Sequence, residues 1–320
     1  MIAARKPAGT GTRHRAVRTL AACLASVALH FLVAAPAVAQ DLEPRAYANT
    51  PVGMHFLVLN YSFSRGGVSA DPAVPLEDAE IDIHLATLGY ARTFALFGQS
   101  AKVGLVLPWA EVSGSAVFAG TPVSRDFSGQ ADPIVKLSTN LLGAPALDLE
   151  DFLAWHQAWI VGASLSVSLP LGRYDAERLV NIGTNRWAVK PELGVSRRWG
   201  PLTVDAAASA KFYSDNDEFL VDRERSQAPL FAIQGHAIYS FGKGTWVSFD
   251  ATWYGGGRTE IDGVRSNDRQ SNARVGATLV QPLSRHLSVQ VYASTGVAER
   301  TGSDFDTAGV GLSYRWGGGL

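Results

Sequence analysis

Residues 307–316 read "TAGVGLSYRW", followed by Gly-Gly-Gly-Leu. Ala308, Val310, Leu312, Tyr314 and Trp316 alternate with Gly309, Gly311, Ser313 and Arg315. That period of two is the signature of a strand with one apolar and one polar face. A soluble sandwich would bury the apolar face. Here it runs out on two aromatics, which is a poor ending for a strand surrounded by water.

The pattern recurs along the chain. "AWIVGASLSVSLPL" sets Trp159, Val161, Ala163, Leu165, Val167 and Leu169 against Gly162, Ser164, Ser166 and Ser168. "KVGLVLPW" aligns Val103, Leu105, Leu107 and Trp109, and "TWVSFDATWY" aligns Val247, Phe249, Ala251 and Trp253. Twelve such segments are expected, near 52–63, 79–94, 100–112, 133–142, 158–171, 186–197, 202–213, 229–241, 245–255, 272–281, 287–297 and 307–316. The second is irregular: Ile81, Ile83 and Leu85 give way to Leu88 and Tyr90, as a bulge would produce. Short connections ("FGQS", "WGP", "GKG", "PLSRH") alternate with long ones at 64–78, 113–132, 172–185, 214–228, 256–271 and 298–306. An up-and-down meander keeps that rhythm, whereas Greek-key crossings have no reason to. The connection 143–157 is too long for the short set. Leu149, Phe152, Leu153 and His156 share a helical face there, which predicts a short helix over 147–156, against the inner headgroups or as a plug.

Which face meets solvent decides the fold class. The polar faces carry mostly Gly, Ser, Thr and Asn with isolated charges, too sparse for a soluble coat, and the apolar faces carry almost no charge. Charged residues make up only 18% of the chain, against about 25% in an average soluble protein. With the apolar face in lipid and the small polar residues lining a wet interior, the pattern becomes consistent. Backbone groups cannot stay unpaired in lipid, so the strands must close. Trp109, Trp187, Trp199, Trp253 and Trp316 lie near segment ends, as aromatic girdles at the headgroups require. The expectation is an all-β, antiparallel, up-and-down transmembrane barrel of about 12 strands in a bacterial outer membrane, its long loops outside.

Residues 1–39 fit a signal peptide. Arg5, Lys6, Arg13, Arg15 and Arg18 precede an apolar run from Leu20 to Val33 and the small-x-small triplet Ala37-Val38-Ala39. The run is too short to span a bilayer as a helix. Cleavage would leave residues 40–320 as the barrel, without Cys23. It removes five of the 28 basic residues and none of the 29 acidic ones, for a formal charge of about −6. Nothing in that balance indicates a nucleic-acid partner. The terminal strand also resembles the signal read by the barrel-assembly machinery, in which a glycine precedes two aromatics: Gly311, Tyr314 and Trp316.

Three stretches carry a family resemblance: "SGQADPIVKLSTNLLGAPAL" (128–147), "PLGRYD" (170–175) and "NIGTNRWAVKPELGVS" (181–196). Together they resemble the outer-membrane family named for meta-pathway phenol degradation, whose members are commonly described as transporters. The resemblance implies a link to aromatic catabolism and supplies no catalytic residues.

Other chemistry finds little support. His286-Leu287-Ser288 resembles half of a barrel-phospholipase motif, but Val289 and Gln290 replace its Asn-Gly. His84 and His236 lack the spacing of metal ligands, and the acidic "SDNDE" at 214–218 reads more simply as a solvated loop. No cofactor, metal or catalytic group is expected. What remains is the polar face. Taken as inward, it offers Asp82, His84, Lys102, Lys136, Asn140, Arg186, Lys190, Glu192, Asp205, Lys211, Asp250 and Arg274 as lumen-lining candidates. Five of these are lysine or arginine within the strands and four are carboxylates, near enough to balance to argue against strong ion selectivity. The expected function is passive passage of small hydrophobic or aromatic solutes, with outer-membrane lipid as the surroundings. A closed barrel binding partners through its loops is the alternative, and an outer-membrane lipid hydrolase is a more distant one.

Overall fold

The computed structural model describes residues 43–69, 76–118, 120–178, 180–298 and 302–320; the expected leader lies outside them. The first half of the chain forms β1 (Met54–Ser69), β2 (Leu76–Leu96), β3 (Gln99–Phe118), β4 (Thr121–Gln130), β5 (Ile134–Leu142), β6 (Trp159–Ser168), β7 (Ala188–Trp199) and β8 (Leu202–Tyr213). The second half adds β9 (Asn216–Phe219), β10 (Arg223–Gln227), β11 (Leu230–Gly242), β12 (Thr245–Gly256), β13 (Thr259–Ile261), β14 (Val264–Arg265), β15 (Gln270–Pro282), β16 (Leu287–Ala298) and β17 (Gly302–Gly317).

β4 and β5 pair with successive parts of β3 and act as one interrupted strand, so the wall has twelve positions. It closes where β1 pairs with β17, in unbroken register from Met54↔Gly317 to Ser69↔Gly302. Every neighbour in the wall is antiparallel. Each expected segment coincides with a strand to within a few residues at its inner end. No helix among the described residues is long and apolar enough to cross a membrane.

The apolar surface is on the outside. Leu59, Leu107, Leu137, Leu165, Leu193, Ile233, Phe249, Leu279 and Leu312 are all exposed, forming a belt around the barrel. Trp159 and Trp199 flank the Arg197 guanidinium at one rim of the belt, while Trp109, Trp187 and Trp253 are exposed toward the other. This is the girdled band that a bilayer requires. The cluster of buried apolar side chains is small in comparison, built from Tyr47, Ala144 and Ile160 inside the barrel.

Three regions differ from the sequence reading. Residues 113–132 are not a loose loop, because β3 runs on to Phe118 and β4 returns beside it, paired from Phe118↔Thr121 to Trp109↔Gln130. A membrane strand needs roughly 9–11 residues, and β2 and β3 have 21 and 20. Their outer halves therefore project beyond the lipid. Second, two long connections fold into a separate sheet of order β14-β13-β10-β9. Asn216, expected in a solvated loop, is buried there. Third, β2 has no bulge among residues 80–96; its irregularity lies at Glu77/Glu80.

The expected helix forms over Leu149–Ala154, with the Asp148 carboxylate accepting from the Asp151 amide at 2.9 Å. None of its residues is buried and Leu153 is largely exposed, so it does not fill the lumen.

Candidate functional site

The lumen is crossed by a segment that strand periodicity does not reveal. Residues 43–53, ahead of β1, run inside the wall near the end carrying the short turns. The Tyr47 hydroxyl donates to Glu192 Oε1 at 2.9 Å and lies 3.3 Å from Ser164 Oγ. The Arg45 amide donates to Asp205 Oδ2 at 2.9 Å, and its guanidinium lies over the Trp246 ring. Lys102 Nζ donates to the Ala46 carbonyl at 2.7 Å, and Lys136 pairs with Glu43. These partners sit on β3, β5, β6, β7, β8 and β12. The segment is thus a strap anchored around much of the wall.

Two glycines shape its seat. Gly162 and Gly194 face each other across β6 and β7. A Cβ on either would come within 2.2 Å of the Tyr47 ring. Only a bare backbone on both strands leaves room for the ring. The signal was present in the sequence as glycines inside otherwise regular strands, but it becomes meaningful only once their register is known.

Beyond the strap the lumen opens into a cavity of about 470 Å3. Apolar and polar side chains share its lining. Val58, Ile83, Leu85, Val106, Pro108 and Ile134 supply apolar surface from β1, β2, β3 and β5. Ser166, Lys190, Lys211, Gln234, Thr252 and Arg274 supply polar groups. Arg274 is held by Ser294 Oγ at 3.0 Å and the Phe305 carbonyl at 2.6 Å. Lys190 lies 4.0 Å from Glu192 Oε2.

The twelve lumen candidates therefore separate into groups. Lys136, Lys190, Glu192, Lys211 and Arg274 border the cavity. Lys102 and Asp205 hold the strap, and Asn140 is buried against the Gly162 backbone beside Tyr47. Asp250 is fully buried on the inner wall, taking His236 Nδ1 at 2.7 Å, Thr278 Oγ1 at 3.0 Å and Ser248 Oγ at 3.1 Å. Arg186 stands at the outer rim, its guanidinium 4.4 Å from the centre of the Tyr213 ring and bonded to Gln227.

Asp82 and His84 are not in the lumen. Asp82 accepts from Arg65 Nη2 at 2.6 Å, and His84 Nδ1 lies 2.7 Å from the Tyr61 hydroxyl, all on the outer face. The inward positions of β2 are Ile83 and Leu85. Taking apolar as outward fails here because this half of β2 stands above the bilayer. Its outer side meets water, and its inner side forms the apolar cavity wall.

A family model described as "Putative MetA-pathway of phenol degradation" matches residues 63–316. The chain belongs to that family. Among solved structures it is similar to the COG4313 outer membrane channel from Pseudomonas putida F1, at 21% identity and a TM-score of 0.73, covering 86% of this chain and 100% of that one. It also resembles the transport unit of the autotransporter AIDA-I from Escherichia coli, at 10% identity and a TM-score of 0.50, covering 91% and 97%. At these identities the likeness is one of fold: an outer-membrane barrel. No curated protein matches the sequence.

The stretches that resemble this phenol-degradation family meet at one place. β4 and β5 are interrupted at residues 131–133. Asp132 there accepts from the Gly172 amide at 2.9 Å through Oδ1, and from the Thr184 amide and hydroxyl at 2.9 and 2.6 Å through Oδ2. Gly172 and Gly183 pack backbone to backbone, so that a Cβ on Gly183 would come within 2.6 Å of the Gly172 carbonyl carbon. One carboxylate thus ties the first stretch to the two that follow 40 and 52 residues later, and the connection 169–187 lies along the edge of β4, with the Arg173 amide donating to the Gln130 carbonyl at 2.8 Å.

Proposed function

We propose that this protein is a passive conduit for small hydrophobic or aromatic solutes across the outer membrane. The observation that carries the reading is the cavity of about 470 Å3 inside the wall, which is bordered by Ile83, Leu85, Val106, Pro108 and Ile134. A water-filled pore for sugars or ions has no use for such a surface, whereas sites for small apolar ligands are of this size and character. The strap marks the narrow point of the route. Solute movement follows its gradient.

The same reading treats the protein as a non-enzyme. His286 Nδ1 donates to the Arg315 carbonyl at 3.0 Å and its ring lies beside Tyr314, an arrangement that supports a turn residue rather than a general base. We also assign the terminal strand to recognition by the assembly machinery. Tyr314 and Trp316 stack with centroids 5.7 Å apart, and Trp316 stacks in turn on His55 of β1, so the residues proposed as the signal also fasten the closing seam.

Uptake tests the conduit. Cells lacking the protein should take up radiolabelled phenol and toluene several-fold more slowly than complemented cells at limiting concentration. Equal uptake of a panel of aromatic and aliphatic solutes with and without the protein would remove the reading. Silence in planar bilayers together with equal uptake would favour a closed surface-binding barrel.

A further inference from the structure

Two guanidinium groups at the outer mouth of the barrel stand without a carboxylate partner among the described residues. Arg186 is buried, its Nη2 donates to Gln227 Oε1, and its guanidinium lies over the Tyr213 ring. Its Nη1 is also buried and has no hydrogen-bond partner among the described residues. The Gln227 amide is oriented for this contact, because its Nε2 donates to the Gly257 carbonyl at 2.8 Å. Arg225 is half-buried on the outer sheet. Its guanidinium lies over Phe219, 5.4 Å from the ring centre, and makes no hydrogen bond or ion pair among the described residues. Arg225 and Gln227 are two residues apart on β10, opposite Ile261 and Thr259 in regular register, so their side chains leave the same face. The two guanidinium groups are therefore neighbours.

Carboxylates are near, but their oxygens are committed elsewhere. Asp132 is the carboxylate that acts most strongly on Arg186, and it accepts from the Gly172 amide and from the Thr184 amide and hydroxyl. Asp268 acts most strongly on Arg225, and it accepts from the Thr259 amide and hydroxyl at 2.9 and 2.6 Å. Burial, and after it the charge of Arg225, pushes the Arg186 guanidinium down to about 10. Burial lowers Arg225 as well. Both stay charged at neutral pH. Two like charges withdrawn from water cost free energy, and an anion between them relieves that cost.

The pair stands beside the route. Tyr213 is on the inward face of β8, two residues beyond Lys211, which borders the cavity. At the rise of a strand that places it roughly 7 Å farther out along the same wall. The planar fork of a guanidinium matches the two oxygens of a carboxylate.

Resting on the conduit reading, the geometry points to an anion-binding site at the outer mouth, in which Arg225 and Nη1 of Arg186 take the carboxylate of an incoming solute beside the Tyr213 ring. Solutes that carry a carboxylate are held there before they enter the cavity. Neutral aromatics find no such hold.

Calorimetric titration of the purified full chain, in detergent, with benzoate and with benzyl alcohol tests the site. Benzoate should bind about tenfold more tightly than benzyl alcohol. Arg225→Gln should remove most of that tenfold preference by weakening benzoate, while the affinity for benzyl alcohol stays where it was. Residue 225 lies outside the barrel wall, and heat-modifiable migration on gels verifies that the variant barrel is folded. The comparison of the two ligands on the unaltered protein does not depend on the variant. Equal affinity for the two ligands, no binding of benzoate, or a benzoate affinity unchanged in Arg225→Gln would each overturn the proposal. A loss of phenol and toluene uptake on deletion would then still leave the conduit standing, so the two readings fail separately.

Discussion

The strapped part of the lumen and the cavity beyond it are built from the same strands and the same kinds of residue, yet they do opposite things. At the strap, Glu192, Ser164, Asp205 and Lys102 spend their hydrogen bonds on residues 45–47. In the cavity, Ser166, Gln234 and Thr252 face open volume instead. The inward polar face of a barrel strand therefore has no single role. Its meaning is fixed by whether another segment of the chain lies against it.

The sharpest way to probe that contrast uses neighbours on β6. Leu165 is exposed on the lipid side, whereas Ser166 is buried and borders the cavity. Leu165→Arg places a charge in the apolar band and should cost about 2–4 kcal/mol, abolishing most heat-modifiable barrel. Ser166→Arg should yield normal amounts of folded barrel with aromatic uptake reduced several-fold by a filled cavity. Equal folding of both variants would mean that the two faces of β6 have been interchanged.

Next in size is the strap. In Gly162→Ala and Gly194→Ala the new methyl group occupies the seat of the Tyr47 ring. The barrel wall should persist, since alanine suits a strand better than glycine, while residues 45–49 lose their anchorage. Single-channel conductance should rise several-fold in either variant, and Tyr47→Ala should produce the same rise with both glycines intact. Conductance unchanged in all three would show that the strap does not limit the route.

Sequence alone carried most of the wall and little of what lies inside it. Alternation is local, so Trp159 to Val167 and Val103 to Trp109 declare a strand and its two faces without any partner. Which face meets lipid depends on height in the membrane. Ile81, Ile83 and Leu85 have the right parity for a strand and the wrong neighbourhood for lipid. The strap has no period: Glu43, Arg45, Ala46 and Tyr47 contact strands 56 to 160 residues away, and no pattern within the segment announces them. The Asp132 clasp falls between these cases. Its three stretches stood out by family resemblance, while the reason for their association is tertiary.

The smallest expected effects distinguish two residues of β7 that the sequence treats alike. Lys190 and Glu192 both point inward and lie 4.0 Å apart, so either could be taken as lining the route. Their partners differ. Glu192 accepts from Tyr47 at 2.9 Å and from Gln234 Nε2 at 3.3 Å and is almost wholly buried, whereas Lys190 borders the cavity and is partly open to it. Glu192→Ala removes the acceptor of a buried hydroxyl, a loss of about 1–3 kcal/mol that falls on the strap. Amide hydrogen exchange at residues 45–49 should therefore speed up in Glu192→Ala while the barrel strands keep their protection. Lys190→Ala removes a cation from the cavity without touching that bond. Its signature should be a shift of about twofold in the uptake of benzoate relative to benzyl alcohol, with exchange at the strap unaltered. If strap exchange quickens equally in both variants, the pair works as one brace, and the division between strap and cavity does not run between these two positions.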